Sequence, residues 1–347
     1  MEISDRVSRG TERDEVDRAG SVQGRLSAAA GDVSTPLAAQ LAEGAPSRSA
    51  LHGSSFPAPP RTRVMTIANQ KGGVGKTTTA VNIAAALAQA GLRVLVIDND
   101  PQGNASTALG ISHDSGVPSV YDVLVDDLPL ADVIQRCPDI DGLLCAPATI
   151  DLSGAEIELV ELPDRESRLR RAVEAYLASA HERAESRLDY VLIDCPPSLG
   201  LLTINAFVCA REVLIPIQCE YYALEGLSQL VRNIDLICGH LNPALHISTI
   251  LLTMLDGRTR LAQQVADEVR QHFPDSTLTT HVPRSVRVSE APSYGQTVFT
   301  YDPGCSGALA YLAAAKEIAF RGAGLPVPQD GRGGWKTRLG LTKVKTR

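Results

Sequence analysis

Aromatic residues, paired cysteines and long apolar runs are scarce or absent in this sequence of 347 residues. Aromatic side chains make up only 4% of it, with a single tryptophan, so a groove that stacks single-stranded nucleic acid on exposed rings is not expected. None of the seven cysteines has Cys-x-x-Cys spacing, which argues against a disulfide framework or a zinc knuckle. No run approaches the roughly 18 unbroken apolar residues of a membrane span, and no apolar signal segment opens the chain. We therefore expect a cytoplasmic protein with reduced thiols that does not cross a bilayer.

Charge is spread unevenly along the chain. The formal net charge is −7, residues 1–63 sum to zero, and residues 331–347 carry six basic and no acidic side chains, which leaves −13 for residues 64–330. A strongly anionic partner must therefore meet a local basic patch or the tail, because the body as a whole repels it. The 44% apolar and 21% charged content is typical of a globular protein with a packed core.

The two ends differ in composition from the middle. Residues 1–63 are rich in Ser, Ala, Gly and Arg and finish in a Pro-rich stretch, which predicts a disordered N-terminal arm. Within this arm, residues 35–42 either form a short helix that docks a partner or belong to a solvated tail. Residues 323–347 are punctuated by Gly and Pro and then become basic, which predicts a flexible C-terminal tail. Residues 64–322 are left as a single folded domain.

Short apolar runs alternate with helical patterns in this domain. Continuous runs typical of strands buried on both faces occur at residues 64–68, 93–97, 143–146, 190–193, 213–217 and 247–253. Helical periodicity occurs at residues 77–90, 166–180, 201–210, 224–236, 261–273 and 308–320. This alternation predicts an α/β fold with a doubly wound, mostly parallel sheet.

A glycine-rich segment joins the first predicted strand to the first predicted helix. Such a turn aims several backbone N–H groups at one phosphate, and the helix N-terminus adds its positive dipole end. We expect Lys76 to reach the terminal phosphates and the Thr77 hydroxyl to complete the shell of a Mg²⁺ ion. The alternative is a glycine-rich turn without a ligand. The predicted phosphate-binding residues are Gly72, Gly73, Val74, Gly75, Lys76, Thr77 and Thr78.

The loop departs from the usual P-loop at its start, where Gln70 stands in place of glycine and is followed by Lys71. The segment from Lys71 to Thr77 matches the deviant Walker A loop, and here the chain resembles the ParA/Soj family of chromosome and plasmid partition ATPases, relatives of MinD and of the nitrogenase iron protein. The resemblance implies ATP and Mg²⁺ as cofactors. It also implies that Lys71 contacts the nucleotide of a facing subunit, so that ATP forms part of a homodimer interface. Taken alone, Lys71 would be read as a surface charge.

Three acidic residues follow buried apolar runs. Asp98 and Asp100 end one run and Asp194 ends another, and ligand chemistry in open α/β sheets gathers at that edge. A single such carboxylate is often a turn former or a helix cap. By resemblance, Asp98 lies near the Mg²⁺, Asp100 orients the attacking water, and Asp194 fits the Walker B carboxylate that holds the metal. With Lys71 and Lys76 neutralising charge, these residues predict slow ATP hydrolysis.

Two later blocks, residues 253–259 and 282–292, extend the resemblance, which covers roughly residues 64 to 320. In the Soj-type group two arginines at these places bind double-stranded DNA without sequence preference. Their counterparts are Arg258 and Arg287, and Arg284 and Arg260 extend the patch. Composition alone favours solvated charges, since residues 254–290 hold five Arg and five acids. The resemblance further implies a ParB-type centromere-binding partner and a location on the nucleoid.

The basic tail and the overall activity each allow other interpretations. Trp335 and nearby apolar residues among basic ones suggest the membrane-binding helix of MinD-type relatives, but Gly340 and three threonines weaken a helix. An inert tail or a second DNA contact is therefore favoured over membrane binding. Other functions of this fold are phosphate transfer to a small metabolite, a MinD-like membrane oscillator, and electron transfer through a cluster held by cysteines. The blocks at residues 253–259 and 282–292 favour the partition ATPase.

Overall fold

The computed structural model describes residues 55–179 and 187–328. Within these ranges the chain forms an eight-stranded sheet in the order β3-β4-β2-β5-β1-β6-β7-β8. All neighbouring strands are parallel except β3, which runs antiparallel to β4. The strands are β1 (Arg63–Ile67), β2 (Val94–Asp98), β3 (Gln135–Arg136), β4 (Leu143–Ala146), β5 (Tyr190–Asp194), β6 (Glu212–Gln218), β7 (His246–Leu255) and β8 (Thr277–Pro283).

Helices cover both faces of the sheet. The described helices are α1 (Lys76–Gln89), α2 (Asn104–Ala108), α3 (Val120–Val125), α4 (Leu130–Val133), α5 (Leu152–Glu158), α6 (Arg168–Ala178), α7 (Leu201–Cys209), α8 (Ala223–His240), α9 (Arg260–His272), α10 (Val286–Glu290), α11 (Val298–Tyr301) and α12 (Ser306–Gly322). Short 3₁₀ turns follow α5 at Leu159–Glu161 and α10 at Ala291–Tyr294.

The central strands are apolar along their whole length because each face packs on a different helical layer. In β2, Leu95 and Ile97 enter one buried cluster, with α6 to α9, while Val94 and Val96 enter a second, with α1 and α12. Every residue of β2 and β5 is buried. This two-sided burial is the reason for the unbroken apolar runs of the sequence, and it confirms the predicted α/β fold with a doubly wound parallel sheet.

The strands and helices that the sequence did not predict are short or lack a continuous apolar run. Strands β3 and β8 were not predicted: β3 has two residues, and the edge strand β8 interleaves exposed Thr279 and His281 with buried residues. The short helices α2 to α5, α10 and α11 have four to seven residues each. Hydrophobic periodicity needs about 11 residues to register, so these elements carried no readable pattern.

Residues just before the predicted start of the domain pack on it. Phe56 is buried, and its backbone N–H donates to the Ala90 carbonyl at 3.2 Å. Arg187 donates to the carbonyls of Pro59 and Pro60 at 2.7 and 2.8 Å. Residues 56–60 therefore pack against the folded domain, and the apolar Phe56 ring is buried there. The remainder of the predicted arm, its segment 35–42 and the basic tail beyond residue 328 lie outside the described residues, and their assignments stay predictions.

No helix among the described residues is long and apolar enough to cross a membrane.

Candidate active site

The loop between β1 and α1 curls around an open space at the carboxyl edge of the sheet. Gly73 and Gly75 adopt φ values of 74° and 88°, a region that residues with a Cβ rarely enter. Neighbouring strands hold the loop: the Thr253 hydroxyl donates to the Val74 carbonyl at 2.8 Å, and the Asn69 amide donates to the Pro216 carbonyl at 2.8 Å. The N-terminus of α1 has no side-chain cap, so its first N–H groups are available to an anion.

This loop forms one wall of a cavity of about 710 Å³, which is within the range of small-molecule sites. The structure brings together at this cavity most of the predicted residues, namely Gly72, Gly73, Gly75, Lys76, Thr77, Thr78 and Asp100. Val74 is buried beneath the loop, with its carbonyl held by Thr253. The opposite wall includes Ser153, Glu156 and residues 196–198, none of which the sequence analysis singled out.

Lys76 is a nearly buried cation at the base of the loop. Lys76 is the first residue of α1, and its Nζ lies 3.4 Å from the Lys71 carbonyl oxygen. Burial lowers the pKa of Lys76, and the nearby carboxylates of Asp194 and Asp100 oppose that change. Bound phosphates would favour the charged form in the same way as these carboxylates. The site therefore contains a buried ammonium group whose charged form an anionic ligand would stabilise.

The Asp194 carboxylate is the clearest indication that the site binds a cation. Both of its carboxylate oxygens are buried and have no hydrogen-bond partner among the described residues. Burial and the nearby Asp98 raise its pKa well above the usual range, while Thr77 and Lys76 act in the opposite direction. A buried unpaired carboxylate is costly unless a cation compensates it. The residues present fit Mg²⁺, which the Thr77 hydroxyl and the Asp194 carboxylate would hold.

The described residues contain no group of three or more His, Cys, Asp and Glu side chains arranged to hold a metal.

Asp98 and Asp100 have different surroundings although both follow β2. Asp98 is fully buried, and its Oδ2 accepts hydrogen bonds from the backbone N–H and the hydroxyl of Ser106 at 2.8 and 2.7 Å. Burial raises the pKa of Asp98 to about 6. Asp98 is not among the residues that line the cavity, whereas Asp100 is. The contacts of Asp98 are structural, since they hold the start of α2, and its role at the metal stays a prediction.

Lys71 points toward a carboxylate outside the cavity. Its Nζ lies 2.7 Å from Glu220 Oε2, and about a third of its side chain is exposed. Glu220 follows β6 and also accepts a hydrogen bond from the Gln218 amide. Lys71 is therefore partly exposed and paired outside the cavity, directly before the phosphate-binding glycines. Nothing in the residue type of Glu220 indicated this pairing.

The predicted DNA-binding arginines Arg258, Arg284 and Arg287 follow the carboxyl ends of strands β7 and β8. We call these three residues the arginine edge. Leu255 at the end of β7 pairs with Pro283 at the end of β8, so the turn carrying Arg258 lies beside Arg284. Arg258 is 90% exposed and bonded to Asp256 at 2.8 Å. Arg258, with a smaller effect of Arg284, lowers the pKa of Asp256 to about 2. Arg287 on α10 is exposed and paired with Glu290 at 3.1 Å.

The cysteine next to Asp194 is an internal packing residue. Cys195 is fully buried, and its Sγ lies 3.0 Å from the Thr66 hydroxyl. Burial raises the pKa of its thiol to about 12, so the thiolate that would ligate a cluster is disfavoured.

The fold and this site define a P-loop ATPase of the deviant Walker A type that uses ATP and Mg²⁺. A family described as "AAA domain" matches residues 62–247. The sporulation initiation inhibitor protein Soj of Bacillus subtilis is 53% identical over 75% of this chain and 99% of its own length, and the chromosome partitioning protein ParA of Caulobacter vibrioides (strain NA1000 / CB15N) is 52% identical over 75% and 94%. The chain belongs to the ParA/Soj family of chromosome-partitioning ATPases.

Solved structures agree with this assignment of the fold. The structure of cobyrinic acid a,c-diamide synthase from Mycobacterium smegmatis with a bound ATP analog and magnesium has a TM-score of 0.64 and 35% sequence identity to this chain. The similarity covers 77% of this chain and all of that one. The ATP analog and magnesium of that structure match the ligands that the phosphate loop and Asp194 require.

Proposed function

We propose that this partition ATPase is an ATP-dependent dimerising switch that binds double-stranded DNA without sequence preference. In this proposal it works with a ParB-type centromere-binding protein to move a chromosome or plasmid on the nucleoid. The names of the relatives, Soj and chromosome partitioning protein ParA, support the process. The positions of Lys71 and of the arginine edge support the ATP-dependent, DNA-binding switch.

The chemistry at the site is phosphoryl transfer to water. Backbone N–H groups of the loop and Lys76 hold the phosphates, and Thr77 with Asp194 holds the metal, which supplies charge neutralisation when bound. Asp100, which lines the cavity and is only 7% exposed, orients the water. In this proposal, catalysis rests on positioning and charge. This arrangement suits slow hydrolysis that times a switch.

The position of Lys71 supports the proposed dimerisation. In this proposal Lys71 leaves Glu220 and reaches the phosphates bound by a facing subunit, whose own Lys71 does the same in return. The substitution Lys71→Ala should abolish ATP-dependent dimerisation, measured by light scattering with a slowly hydrolysed ATP analog, while ATP still binds the monomer. Unchanged dimerisation of K71A would reduce the chain to a generic nucleotide binder.

One observation carries the link between nucleotide and DNA. Both arginine-bearing segments also contribute a residue to the nucleotide cavity: Met254 precedes Arg258, and Ser289 shares α10 with Arg287. In addition, Thr253 donates to the phosphate loop itself. A nucleotide that moves this loop therefore acts on the arginine edge directly. Pairing of two subunits then doubles the number of phosphate contacts and raises the affinity for DNA.

DNA retention at one salt concentration, with ATP, with ADP and without nucleotide, tests this proposal. We expect strong retention with ATP only. Equal retention in all three states would contradict the switch.

The partner is tested separately, by ATP hydrolysis with DNA alone, with a ParB-type protein alone, and with both. Strong stimulation only when both are present supports the partition cycle. Full stimulation by DNA alone would contradict a role of the partner in timing hydrolysis.

A further inference from the structure

The segment between Asp194 and α7 forms part of the cavity wall. Few hydrogen bonds within the segment itself fix its position. Pro196, Pro197 and Ser198 line the cavity, and Gly200 is the N-cap of α7 without any side chain to bond the first turn. Within the segment, the Thr203 hydroxyl donates to the Ser198 carbonyl at 2.7 Å. We call residues 195–200 the wall segment.

One side of the wall segment is tied to the strand that carries the other acids. Asn99 stands between Asp98 and Asp100, and its backbone N–H donates to the Asp194 carbonyl at 3.0 Å. Its side-chain amide donates to the Leu202 carbonyl in the first turn of α7 at 2.8 Å. Asn99 therefore links the start of α7 to the backbone at Asp100 and Asp194. The proposed chemistry depends on the relative positions of these two carboxylates.

The other side of the wall segment meets Glu156 of α5. The Glu156 carboxylate occupies the space beside Gly200 so closely that a Cβ at Gly200 would lie 2.6 Å from its Cδ and 2.8 Å from its Oε2. Gly200 has a φ of −88°, which any residue adopts, so its glycine is explained by this close approach alone. Glu156 also lines the cavity, and its Oε1 is buried without a hydrogen-bond partner among the described residues.

We propose that Glu156 is a positioning residue for ATP hydrolysis, which holds the wall segment and the start of α7 against α5. The free N–H groups and positive end of a helix attract a carboxylate, and Gly200 leaves the space in which that carboxylate sits. Asn99 and Glu156 then fix the start of α7 from two sides. When Glu156 is displaced, Asp194 and Asp100 keep their identity but lose their relative placement.

Two independent substitutions disturb this contact. Glu156→Ala removes the carboxylate, and Gly200→Ala pushes it away, because the group that must move is the free end of a flexible side chain. Glu158→Gln is the matched control, since Glu158 is an exposed carboxylate of the same helix that is bonded to the Tyr121 hydroxyl at 2.9 Å.

Intrinsic ATP hydrolysis, measured without DNA or partner, gives the readout. We expect E156A and G200A each to lower kcat about tenfold, in line with the cost of small misplacements at a reacting centre, with the KM for ATP changed less than about twofold. E156Q should retain more activity than E156A, because its amide fills the same space beside Gly200. The double variant E156A/G200A should be no slower than either single variant, since both remove the same contact. E158Q should match the wild type.

Three results would overturn the proposal. They are an unchanged kcat in both E156A and G200A, multiplicative effects in the double variant, and an equal loss in E158Q. Thermal unfolding of each variant is recorded alongside: a lower kcat with wild-type Tm in at least G200A supports the proposal, and a loss confined to variants that have unfolded contradicts it. Because no DNA is present, failure here leaves the proposed DNA switch untouched.

Discussion

The phosphate loop and the arginine edge lie at the same end of the sheet, but their charges are held in opposite ways. Around the loop, Lys76 and Asp194 are buried, and both oxygens of Asp194 lack a partner among the described residues. At the edge, Arg258 and Arg287 are exposed and each is already paired with a neighbouring acid. Buried charges interact strongly and demand a specific ligand, whereas exposed pairs are screened and weak. We therefore expect large effects from the buried charges around the loop and smaller, salt-dependent effects from the exposed ion pairs.

Removal of the buried cation should have the largest effect. Lys76→Ala leaves the phosphates without the ammonium that a low-dielectric site makes effective, so we expect ATP hydrolysis to fall by about 10²- to 10³-fold. The measurement is steady-state phosphate release, with circular dichroism as a check of folding. A loss below tenfold would place Lys76 with the weak charges of the arginine edge.

Asp194→Asn should have the next largest effect. The sign of its effect on stability should depend on whether ATP and Mg²⁺ are present. Because folding raises the pKa of Asp194, the unfolded chain ionises first as pH rises above the usual carboxyl value of about 4, and the fold loses stability until the raised pKa is passed. In the presence of a chelator, the wild type should thus lose stability relative to D194N between pH 4 and neutrality. ATP with Mg²⁺ should stabilise the wild type more than D194N.

Thermal unfolding across that pH range, with chelator and with ATP and Mg²⁺, is the measurement. Parallel pH profiles for wild type and D194N under chelation would mean that Asp194 has a compensating partner after all.

Substitutions at the arginine edge should have moderate effects. Each of Arg258→Ala and Arg287→Ala should weaken DNA binding with ATP several-fold and lower the slope of log affinity against log salt by about one unit per phosphate contact in each subunit. ATP hydrolysis without DNA should be unaffected. Arg171→Ala is the control, because Arg171 is an exposed arginine on α6 that is likewise paired with an aspartate, Asp127. An equal change in R171A would mean that only net charge matters.

The pair between Lys71 and Glu220 should give the smallest effect. Both side chains are partly exposed, and such pairs contribute about 0.2–1 kcal/mol. Glu220→Gln should therefore lower the ATP concentration for half-maximal dimerisation by no more than about fivefold. Light scattering during an ATP titration measures it, with Glu225→Gln on α8 as the control. Weaker dimerisation of E220Q would indicate that Glu220 serves the dimer itself.

The sequence alone was most informative where local chemistry and backbone geometry coincide. The phosphate loop required glycines, Lys76 and Thr77 at set spacing directly before a helix, and all of these could be recognised in the sequence. The six predicted strands are observed within one or two residues of their predicted ends. By contrast, the residue pattern alone placed Asp98 and Asp100 together at the end of one strand, and only the structure shows that Asp98 is buried against Ser106 while Asp100 lines the cavity.

By itself, the amino-acid order determined the class of fold and the anion-binding loop, because both depend on residues adjacent in the chain. Tertiary structure alone decided which distant groups meet: Glu156 with Gly200, Lys71 with Glu220, and the arginine edge with the cavity wall. These contacts join residues far apart in sequence, so their geometry is set by how strands and helices pack and leaves no local pattern to read.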